Sequence, residues 1–390
     1  MKYRILSTAC EYRKDRISAN EVDENNYIST ENMLPNRGGV QTTTSVADGK
    51  TFPAYEERDI LLSNIRPYFK KIWFADKKGG CSNDVLVLKA NQSVDEKFLY
   101  YVLSDNNFFN YSTVTSKGTK MPRGSKTAIM KYLVPDIDRH TQKRIADMLS
   151  TYDELIENNN RRIALFEKAA QELYKEWFVR FRFPGYENAN FEYGLPEGWE
   201  RKKVSAYYNT CSGGTPSRTH EEYFDAGIYP WVKTGEIKDC IIIDTEEYIT
   251  EEAVKKSSAK LLPTKSVAMA MYGVNIGQLG YFDSQMTCNQ ACCVFSDKRN
   301  FPSKHYLFQY LKSIREYLLL ISFGAAQQNL SQDLIKKIKI VMPSEEVVRA
   351  FEERIDVIYD SIKMLMQKNK NLAKQRDLLL PRLMSGKLEV

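Results

Sequence analysis

The first half of this 390-residue chain recurs, in the same order, in its second half. Gly118 and Gly324 lie 206 positions apart, and Ser125 and Ser331 are separated by the same distance. Upstream matches shift this offset by only a residue or two. A repeated supersecondary unit constrains the architecture more than average composition does, because each copy must fold alike. We therefore predict two copies of one module and a pseudo-twofold internal repeat.

Each copy ends in a heptad pattern, in which apolar residues alternate steps of four and three. This spacing keeps one seam of a helix facing a partner helix. Each seam residue of the second copy lies 206 positions after one of the first. The pattern predicts two long helices that pair as an antiparallel coiled coil. The seam residues are Leu149, Ile156, Asn159 and Ile163 in the first helix, and Ile355, Ile362, Leu365 and Asn369 in the second.

Two of these seam positions are polar, and two interpretations remain open for them. A buried asparagine in a seam lowers stability and fixes the register of the helices. Alternatively, Asn159 and Asn369 each face solvent where the helices diverge.

Proline and β-branched residues delimit the remaining elements. Neither helical segment contains a proline before Pro184 and Pro381, so each can run about 40 residues, or ~60 Å. Short β-branched runs predict strands at 84–88, 265–271 and 336–341, and helices are expected at 97–104 and 303–321. The predicted fold class is α+β, with two mixed α/β modules separated by the two helices. The predicted boundaries are module 1–137, central helix 138–182, module 183–343 and C-terminal helix 344–390.

Catalytic and metal-binding motifs are not found. Within Gly118–Lys126, five residues separate the two glycines where a phosphate-binding loop needs four. Cys288, Cys292 and Cys293 lack a neighbouring histidine or a second C-x-x-C, so we interpret them as small buried apolar residues. The three histidines fall in different segments and match no triad or zinc-protease motif. We expect no catalytic residue, no metal site and no cofactor bound by this chain.

Charge, hydrophobicity and cysteine content indicate where the protein resides and which module carries its positive charge. The chain has 56 Lys and Arg against 50 Asp and Glu, a net charge of +6. Residues 1–135 hold 20 of these cations and 15 of the anions, so most of the excess lies in the first module. No apolar run is long enough to cross a membrane, and seven cysteines without paired spacing favour a reducing compartment. We expect a cytoplasmic protein.

The end of the first module is a candidate DNA-binding loop. From Lys117 to Lys131 there are five cations and no carboxylate, interleaved with small residues that allow a phosphate to approach. The corresponding loop of the second module offers Gln327, Gln328 and Asn329, whose amides can pair with adenine edges. The alternatives are a solvated basic loop in the first module and a polar turn in the second.

Several motifs together resemble one family, the specificity subunits of Type I restriction-modification systems. The resemblance covers nearly the whole chain, including the order of modules and helices. Its motifs are Gly213-Gly214-Thr215-Pro216, the run from Trp231 to Ile237, the run from Gly324 to Ser331, the run from Arg376 to Lys387, and the run from Asp59 to Tyr68.

The resemblance implies a non-catalytic DNA reader. Each module would be a target-recognition domain for one half of a bipartite, double-stranded DNA sequence, and the helices would set the spacing between the halves. The helices would also dock two modification subunits, which use S-adenosylmethionine to methylate adenine. Restriction subunits that use ATP and Mg would join this complex.

The candidate DNA-binding residues follow from these loops and from the resemblance. Cationic side chains would hold phosphates, and polar loop residues would contact bases. The alternative function is a DNA methyltransferase or nuclease with its own catalytic activity, and a third is a coiled-coil scaffold. The candidate residues are Gln41, Thr43, Arg66, Lys70, Lys71, Lys117, Lys120, Arg123, Lys126, Gly213, Gly214, Arg218, Asn275, Gln327, Gln328, Asn329 and Ser331.

Overall fold

The computed structural model describes residues 2–298, 303–322, 329–385 and 387–388. The chain divides into two compact units. The first unit comprises residues 1–159 and 368–390, and the second comprises residues 160–367.

Two long helices supply segments to both units. The central helix is Arg139–Tyr174 and continues as a π-helical turn, Lys175–Val179. The C-terminal helix is Glu345–Met384. At ~1.5 Å per residue, their α-helical lengths are about 54 and 60 Å. Pro381 lies inside the last turns of the C-terminal helix and does not end it, contrary to the expectation from its missing N–H.

The first unit is built on two four-stranded sheets and one strand pair. The sheet orders are β2-β9-β6-β7 and β3-β5-β8-β4, and β1 pairs with β10. The strands are β1 Tyr3–Ile5, β2 Cys10–Tyr12, β3 Arg16–Ser18, β4 Tyr27–Ile28, β5 Thr51–Tyr55, β6 Ile60–Ser63, β7 Ile72–Phe74, β8 Gly79–Cys81, β9 Val85–Ala90 and β10 Leu133–Pro135. The short helices are α1 Glu96–Ser104, α2 Asn106–Val114 and α3 Lys126–Ile129.

The second unit contains a five-stranded sheet, a three-stranded sheet and two strand pairs. The sheet orders are β14-β21-β18-β19-β16 and β17-β15-β20, with pairs β11-β12 and β13-β22. The strands are β11 Phe191–Glu192, β12 Leu195–Pro196, β13 Glu200–Lys203, β14 Tyr208–Ser212, β15 Tyr229–Val232, β16 Cys240–Ile242, β17 Tyr248–Ile249, β18 Val267–Ala270, β19 Leu279–Phe282, β20 Thr287–Cys288, β21 Cys292–Asp297 and β22 Lys339–Met342. The short helices are α4 Val204–Tyr207, α5 Glu251–Lys256, α6 Lys304–Ser313, α7 Arg315–Ser322 and α8 Gln332–Lys337.

The internal repeat is confirmed by strand order and register. The order β2-β9-β6-β7 of the first unit recurs as β14-β21-β18-β19 in the second. The parallel pairing of Ile28 with Cys81 recurs as Val232 with Cys288. The equivalent serines, Ser125 and Ser331, each cap a short helix by accepting a backbone N–H three residues later.

The core of the first unit includes segments of both long helices. Leu149 of the central helix lies in one buried cluster with Leu380 and Leu383 of the C-terminal helix. Further along the central helix, Asp153 forms an ion pair with Arg376. The contacts therefore run from Leu149 to Asp153 along the central helix and from Leu380 back to Arg376 along the C-terminal helix, so the two segments are antiparallel. A fully buried leucine contributes about 2 kcal/mol to folding, so this contact stabilises the pair.

The second unit also packs the two helices against its sheet. Trp177, in the π-helical turn, lies 5.7 Å from Phe351 between ring centroids. Ile355 and Ile362 are fully buried in the same cluster, and Ile163 packs against it. These aromatic and aliphatic contacts fix the helices to the module through the seam face.

Two secondary-structure predictions are corrected. Residues 336–341 were expected to be one strand, but α8 extends to Lys337 and β22 begins at Lys339. The helix expected at 303–321 is two helices, α6 and α7, separated at Ile314. In both places the sequence contains no glycine or proline at the break between the two elements, so it gave no signal that one element ends and another begins.

Within the residues that the structure describes, no helix combines the length and apolar character required to cross a bilayer. All seven cysteines are unpaired thiols, and Cys288, Cys292 and Cys293 are buried, as small apolar residues would be.

Candidate nucleic-acid interface

The basic segment of the first module forms a closed hairpin. Lys117 and Arg123 exchange two backbone hydrogen bonds, each of 2.9 Å, so residues 118–122 project as its tip. Gly118 has a φ of 95°, a conformation that side chains disfavour. The side chains of Lys117, Lys120 and Arg123 are exposed. Because the hairpin carries these three cations on a closed backbone, it can present them together to a phosphate chain. We call residues 117–123 the basic hairpin.

A second loop lies directly beside the basic hairpin. Residues 64–71 connect β6 to β7, and we call them the β6–β7 loop. The N–H of Gly124 donates to the carbonyl of Asn64 at 2.9 Å, and that of Arg66 donates to Pro122 at 2.8 Å. These bonds join the β6–β7 loop and the basic hairpin into one surface.

Charges around the basic hairpin are partly compensated. Arg123 forms an ion pair of 3.2 Å with Asp84, and both side chains remain open to solvent. Such a surface pair is worth only about 0–1 kcal/mol, so a phosphate can displace the carboxylate. Lys126 is exposed at the start of α3 and lines an open cleft with Lys14 and Arg16. Lys14 and Arg16 are thus added to the candidate surface.

The other candidates of the first module divide into accessible and internal residues. Gln41 is exposed, whereas the Thr43 hydroxyl donates to the carbonyl of Ser45 at 2.9 Å. Arg66 is half-buried, and Lys70 donates to the side chain of Asn106 at 2.8 Å.

Lys71 is held by a contact inside the first module. Its ammonium group donates to the backbone carbonyl of Thr30 at 2.6 Å. Burial lowers the pKa of Lys71, with the nearby Glu31 charge opposing that shift. The side chain therefore joins two segments of the module, and its assignment as a phosphate contact stays a prediction.

The second module repeats the loop arrangement. Residues 271–278 connect β18 to β19, and we call them the β18–β19 loop. The N–H of Leu330 donates to the carbonyl of Met271 at 2.9 Å, which repeats the bond between Gly124 and Asn64. Asn329 is exposed beside this contact, and the Ser331 side chain caps α8. Gln327 and Gln328 lie outside the described residues.

The glycine pair of the second module serves packing. Gly213 and Gly214 are both buried. A Cβ atom on Gly213 would lie 2.1 Å from the carbonyl oxygen of Cys288, and one on Gly214 would lie 2.1 Å from that of Ser258. Both glycines are required because other backbone approaches them closely, and their assignment to direct DNA contact stays a prediction.

Arg218 and Asn275 are likewise engaged within the protein. The guanidinium of Arg218 lies 4.2 Å above the Phe224 ring and 2.6 Å from a Glu247 oxygen. The side-chain amide of Asn275 donates to the carbonyl of Thr234 at 2.9 Å, and it also donates to Ile237. Asn275 therefore fixes the shape of the β18–β19 loop, and its assignment to base reading stays a prediction.

A buried ionic cluster that the sequence did not indicate lies in the second unit, at the start of α6. Nε2 of His305 lies 2.8 Å from a carboxylate oxygen of Asp356. Glu352 accepts the backbone N–H groups of His305 and Tyr306, both at 2.9 Å, so the C-terminal helix caps α6. The sequence gives no signal for this cluster because 46 to 51 positions separate these partners.

The ligand atoms of His305, Glu352 and Asp356 lie within 4.8 Å of one another, close enough to be tested as a metal site. The ammonium group of Lys304 lies 3.0 Å from Asp356 and 3.9 Å from Glu352. A cation from the protein thus already faces both carboxylates. Burial lowers the pKa of His305 to about 4 and raises that of Glu352 to about 8. The cluster therefore fits an internal ion network better than a metal centre.

The seam residues are buried or half-buried along both long helices. Leu149, Asn159, Ile355, Ile362 and Leu365 are buried. Ile156, Ile163 and Asn369 are half-buried. In the first unit, the side-chain amide of Asn159 reaches Asn369.

A family model matches this chain twice. The model, described as the Type I restriction modification DNA specificity domain, matches residues 8–168 and again residues 196–374. One match falls in each half, so both modules and most of both long helices belong to matched segments.

Individual relatives agree with the family match. The HindI specificity subunit, a Type I restriction enzyme component from Haemophilus influenzae, is 24% identical over 432 residues, covering 93% of this chain and 94% of the relative. The MjaIX specificity subunit of Methanocaldococcus jannaschii is 26% identical over 307 residues, covering 76% of this chain and 70% of the relative. A crystal structure of a Type I restriction-modification S subunit from M. genitalium shares the fold, with a TM-score of 0.57 and 16% identity over 98% of this chain and 96% of that one.

Proposed function

The chain belongs to the family of Type I restriction-modification DNA specificity domains, and on that premise we propose that each of its modules reads one half of a bipartite DNA target. The family is defined by DNA specificity and not by catalysis, so the chain is a recognition component of a larger enzyme. The long helices set the spacing between the two half-sites and carry the contacts to partner subunits.

One structural observation supports this proposal most strongly. In each unit, the loop between two neighbouring strands of the main sheet is bonded to the segment that precedes a capped short helix. In the first module that segment is the basic hairpin, with Lys117, Lys120 and Arg123 exposed. Two equivalent loop surfaces suit two half-sites, and their different side chains suit two different sequences.

The outward faces of the long helices support docking of partners. Exposed apolar side chains interrupt the charged surface of the central helix at Met148, Leu155 and Leu165. Val357 and Met364 do the same on the C-terminal helix. Exposed apolar residues outside the seam mark a protein interface where they gather into a patch. We propose that two modification subunits, which supply S-adenosylmethionine, bind here, and that restriction subunits using ATP and Mg join them.

Mapping methylated adenines tests this function directly. A host genome that expresses the chain with its modification subunit should acquire methylation at one bipartite motif with a fixed gap. The control is a host that expresses the modification subunit alone, in which that motif should stay unmodified. Methylation of the same sites in the control would contradict the proposal.

A second measurement separates the proposal from an enzyme with its own activity. The purified chain, incubated with S-adenosylmethionine and DNA, should transfer no methyl group until the modification subunit is added. Methyl transfer by the chain alone would favour the alternative, a self-contained methyltransferase.

A further inference from the structure

The tip of the β6–β7 loop exposes two aromatic rings beside the basic hairpin. Tyr68 is 47% exposed and Phe69 is 38% exposed. Their ring centroids lie 4.8 Å apart, so they form one apolar ridge. Adjacent exposed aromatic side chains leave apolar surface in contact with water, and a ligand that covers this surface gains hydrophobic free energy. Their neighbour through backbone hydrogen bonds is the cationic hairpin described above.

The loop holds this ridge rigidly. Pro67–Phe69 is a 3-10 turn, flanked by Arg66 and Lys70 in the left-handed region with φ values of 51° and 53°. Outside the turn, the N–H of Asn36 donates to the carbonyl of Phe69 at 2.8 Å. Left-handed backbone costs about 1 kcal/mol or more at each non-glycine residue, and it persists only where surrounding contacts enforce it.

The second module presents an apolar tip at the equivalent place. Leu62 pairs with Ile72 across β6 and β7, and Met269 pairs with Leu279 across β18 and β19, so the two connections have equal length. Val274 at the tip of the β18–β19 loop corresponds in register to Pro67, immediately before the ridge, and is fully exposed. Here the amide of Asn275 fixes the loop, as described above.

We propose that Tyr68 and Phe69 form a wedge that inserts against a base step of double-stranded DNA, while the basic hairpin holds the flanking phosphates. Val274 makes the corresponding contact in the other half-site. The inference deepens the proposed function and rests on it. DNA is the occupant that the charges favour, because Lys117, Lys120 and Arg123 lie on the same surface as the ridge.

A wedge of this kind explains how a recognition module can discriminate sequences with few base contacts. Insertion of an apolar side chain unstacks a base step and costs a few kcal/mol, an amount that depends on the sequence at that step. Flexible steps yield to the wedge more readily than stiff ones. Selectivity at the wedged step then arises from the energy of deformation and does not require a hydrogen bond to a base edge.

The test uses the full-length chain and a duplex of the mapped target sequence, with 2-aminopurine placed in turn at each adenine. Binding of the unmodified chain should raise the fluorescence at one step of one half-site, because that base loses its stacking. The double variant Tyr68→Ser with Phe69→Ser should abolish this rise and weaken binding to the target by about tenfold, as expected for a loss of roughly 1.4 kcal/mol. The matched control is Tyr3→Ser, which removes another aromatic ring that is 51% exposed in the same unit.

The outcomes separate the wedge from the function on which it rests. If the unmodified chain binds the bipartite target but the double variant gives the same fluorescence and affinity, the wedge is wrong and the function stands. If the double variant binds DNA normally but no longer assembles with the modification subunit, the ridge is a protein contact and the wedge is again wrong. If the unmodified chain binds no bipartite sequence at all, both proposals fail together.

Discussion

Asn159 donates a hydrogen bond from its side-chain amide to the side-chain oxygen of Asn369, at 2.8 Å across the antiparallel helices of the first unit. Asn159 is only 9% exposed, so its amide could not be satisfied by water alone. The bond joins two seam positions of opposite helices. This geometry favours the register interpretation over the alternative in which each asparagine faces solvent.

Removing either member of this pair should cost stability through the loss of the same bond. Asn159→Leu removes the hydrogen bond to Asn369, and we expect a loss of about 1 kcal/mol in the free energy of unfolding. Asn159→Leu combined with Asn369→Leu should cost less than the sum of the two single changes, because each single change removes the same bond. Urea unfolding of the two single variants and the double variant measures the coupling. Additive single effects would contradict a direct bond in solution.

The ion pair between Asp153 and Arg376 gives a second prediction for the same helix pair. Asp153 also accepts a hydrogen bond of 2.6 Å from the hydroxyl of Tyr101. Asp153→Asn should lower the free energy of unfolding by about 1–2 kcal/mol, because the mostly buried guanidinium of Arg376 loses one of its two carboxylate partners and keeps only Asp377. The matched control is Asp147→Asn, which breaks an exposed pair with Lys143 and should change stability by less than about 0.5 kcal/mol. If Asp153→Asn and Asp147→Asn changed the free energy of unfolding equally, Arg376 would be solvated.

The architecture could be predicted because the sequence contains two copies of the same module and helix. The offset of 206 positions relates Leu149 to Ile355 and Ile156 to Ile362, and a seam that repeats in this way specifies a helix pair. The basic hairpin was also visible, because a run of cations without carboxylates needs no knowledge of the fold. The heptad spacing and the run of cations each depend only on residues that are near one another in the chain, and the repeat is found by comparing the two halves.

The other features of the site could not be predicted, because they depend on how deeply a residue is buried and on contacts with residues that are far away in the chain. Gly213 carries a family motif, but its motif does not reveal that the carbonyl of Cys288 lies against it. Lys71 has the residue type of a phosphate ligand, yet its ammonium group is engaged by Thr30. The ridge at Tyr68 was missed because an exposed aromatic residue and a core aromatic residue look the same in a sequence.

The ionic cluster at the start of α6 predicts how stability depends on pH. Burial raises the pKa of Glu352 from 4.5 to about 8, so the folded state holds a proton that the unfolded state has released between these values. Stability should therefore fall as pH rises through this window, by at most about 1.4 kcal/mol per pH unit. His305 acts in the opposite sense below pH 6.5, because burial lowers its pKa to about 4 and the unfolded state then binds more protons.

The range from pH 7 to 8 reports mainly on Glu352, because His305 is neutral in the folded state there and about three quarters or more neutral in the unfolded state. Glu352→Gln should flatten the decline in urea midpoint across this range, while its side-chain oxygen can still accept the two backbone N–H groups. The control is Glu346→Gln, an exposed carboxylate on the same helix, which should leave the decline unchanged. A decline that persists in Glu352→Gln would mean that another group titrates.

The basic hairpin gives the most direct test of DNA binding. Arg123→Ala should weaken binding to every DNA sequence alike, because a phosphate contact carries no base information. The slope of the logarithm of affinity against the logarithm of salt concentration should fall by about one, as expected for one lost phosphate contact. Lys143→Ala, which removes an exposed cation from the central helix, is the control and should leave the slope unchanged. Titrations of a labelled duplex at several salt concentrations measure both effects. If Arg123→Ala binds DNA with unchanged affinity at low salt, Arg123 holds no phosphate and the candidate surface lies elsewhere on the module.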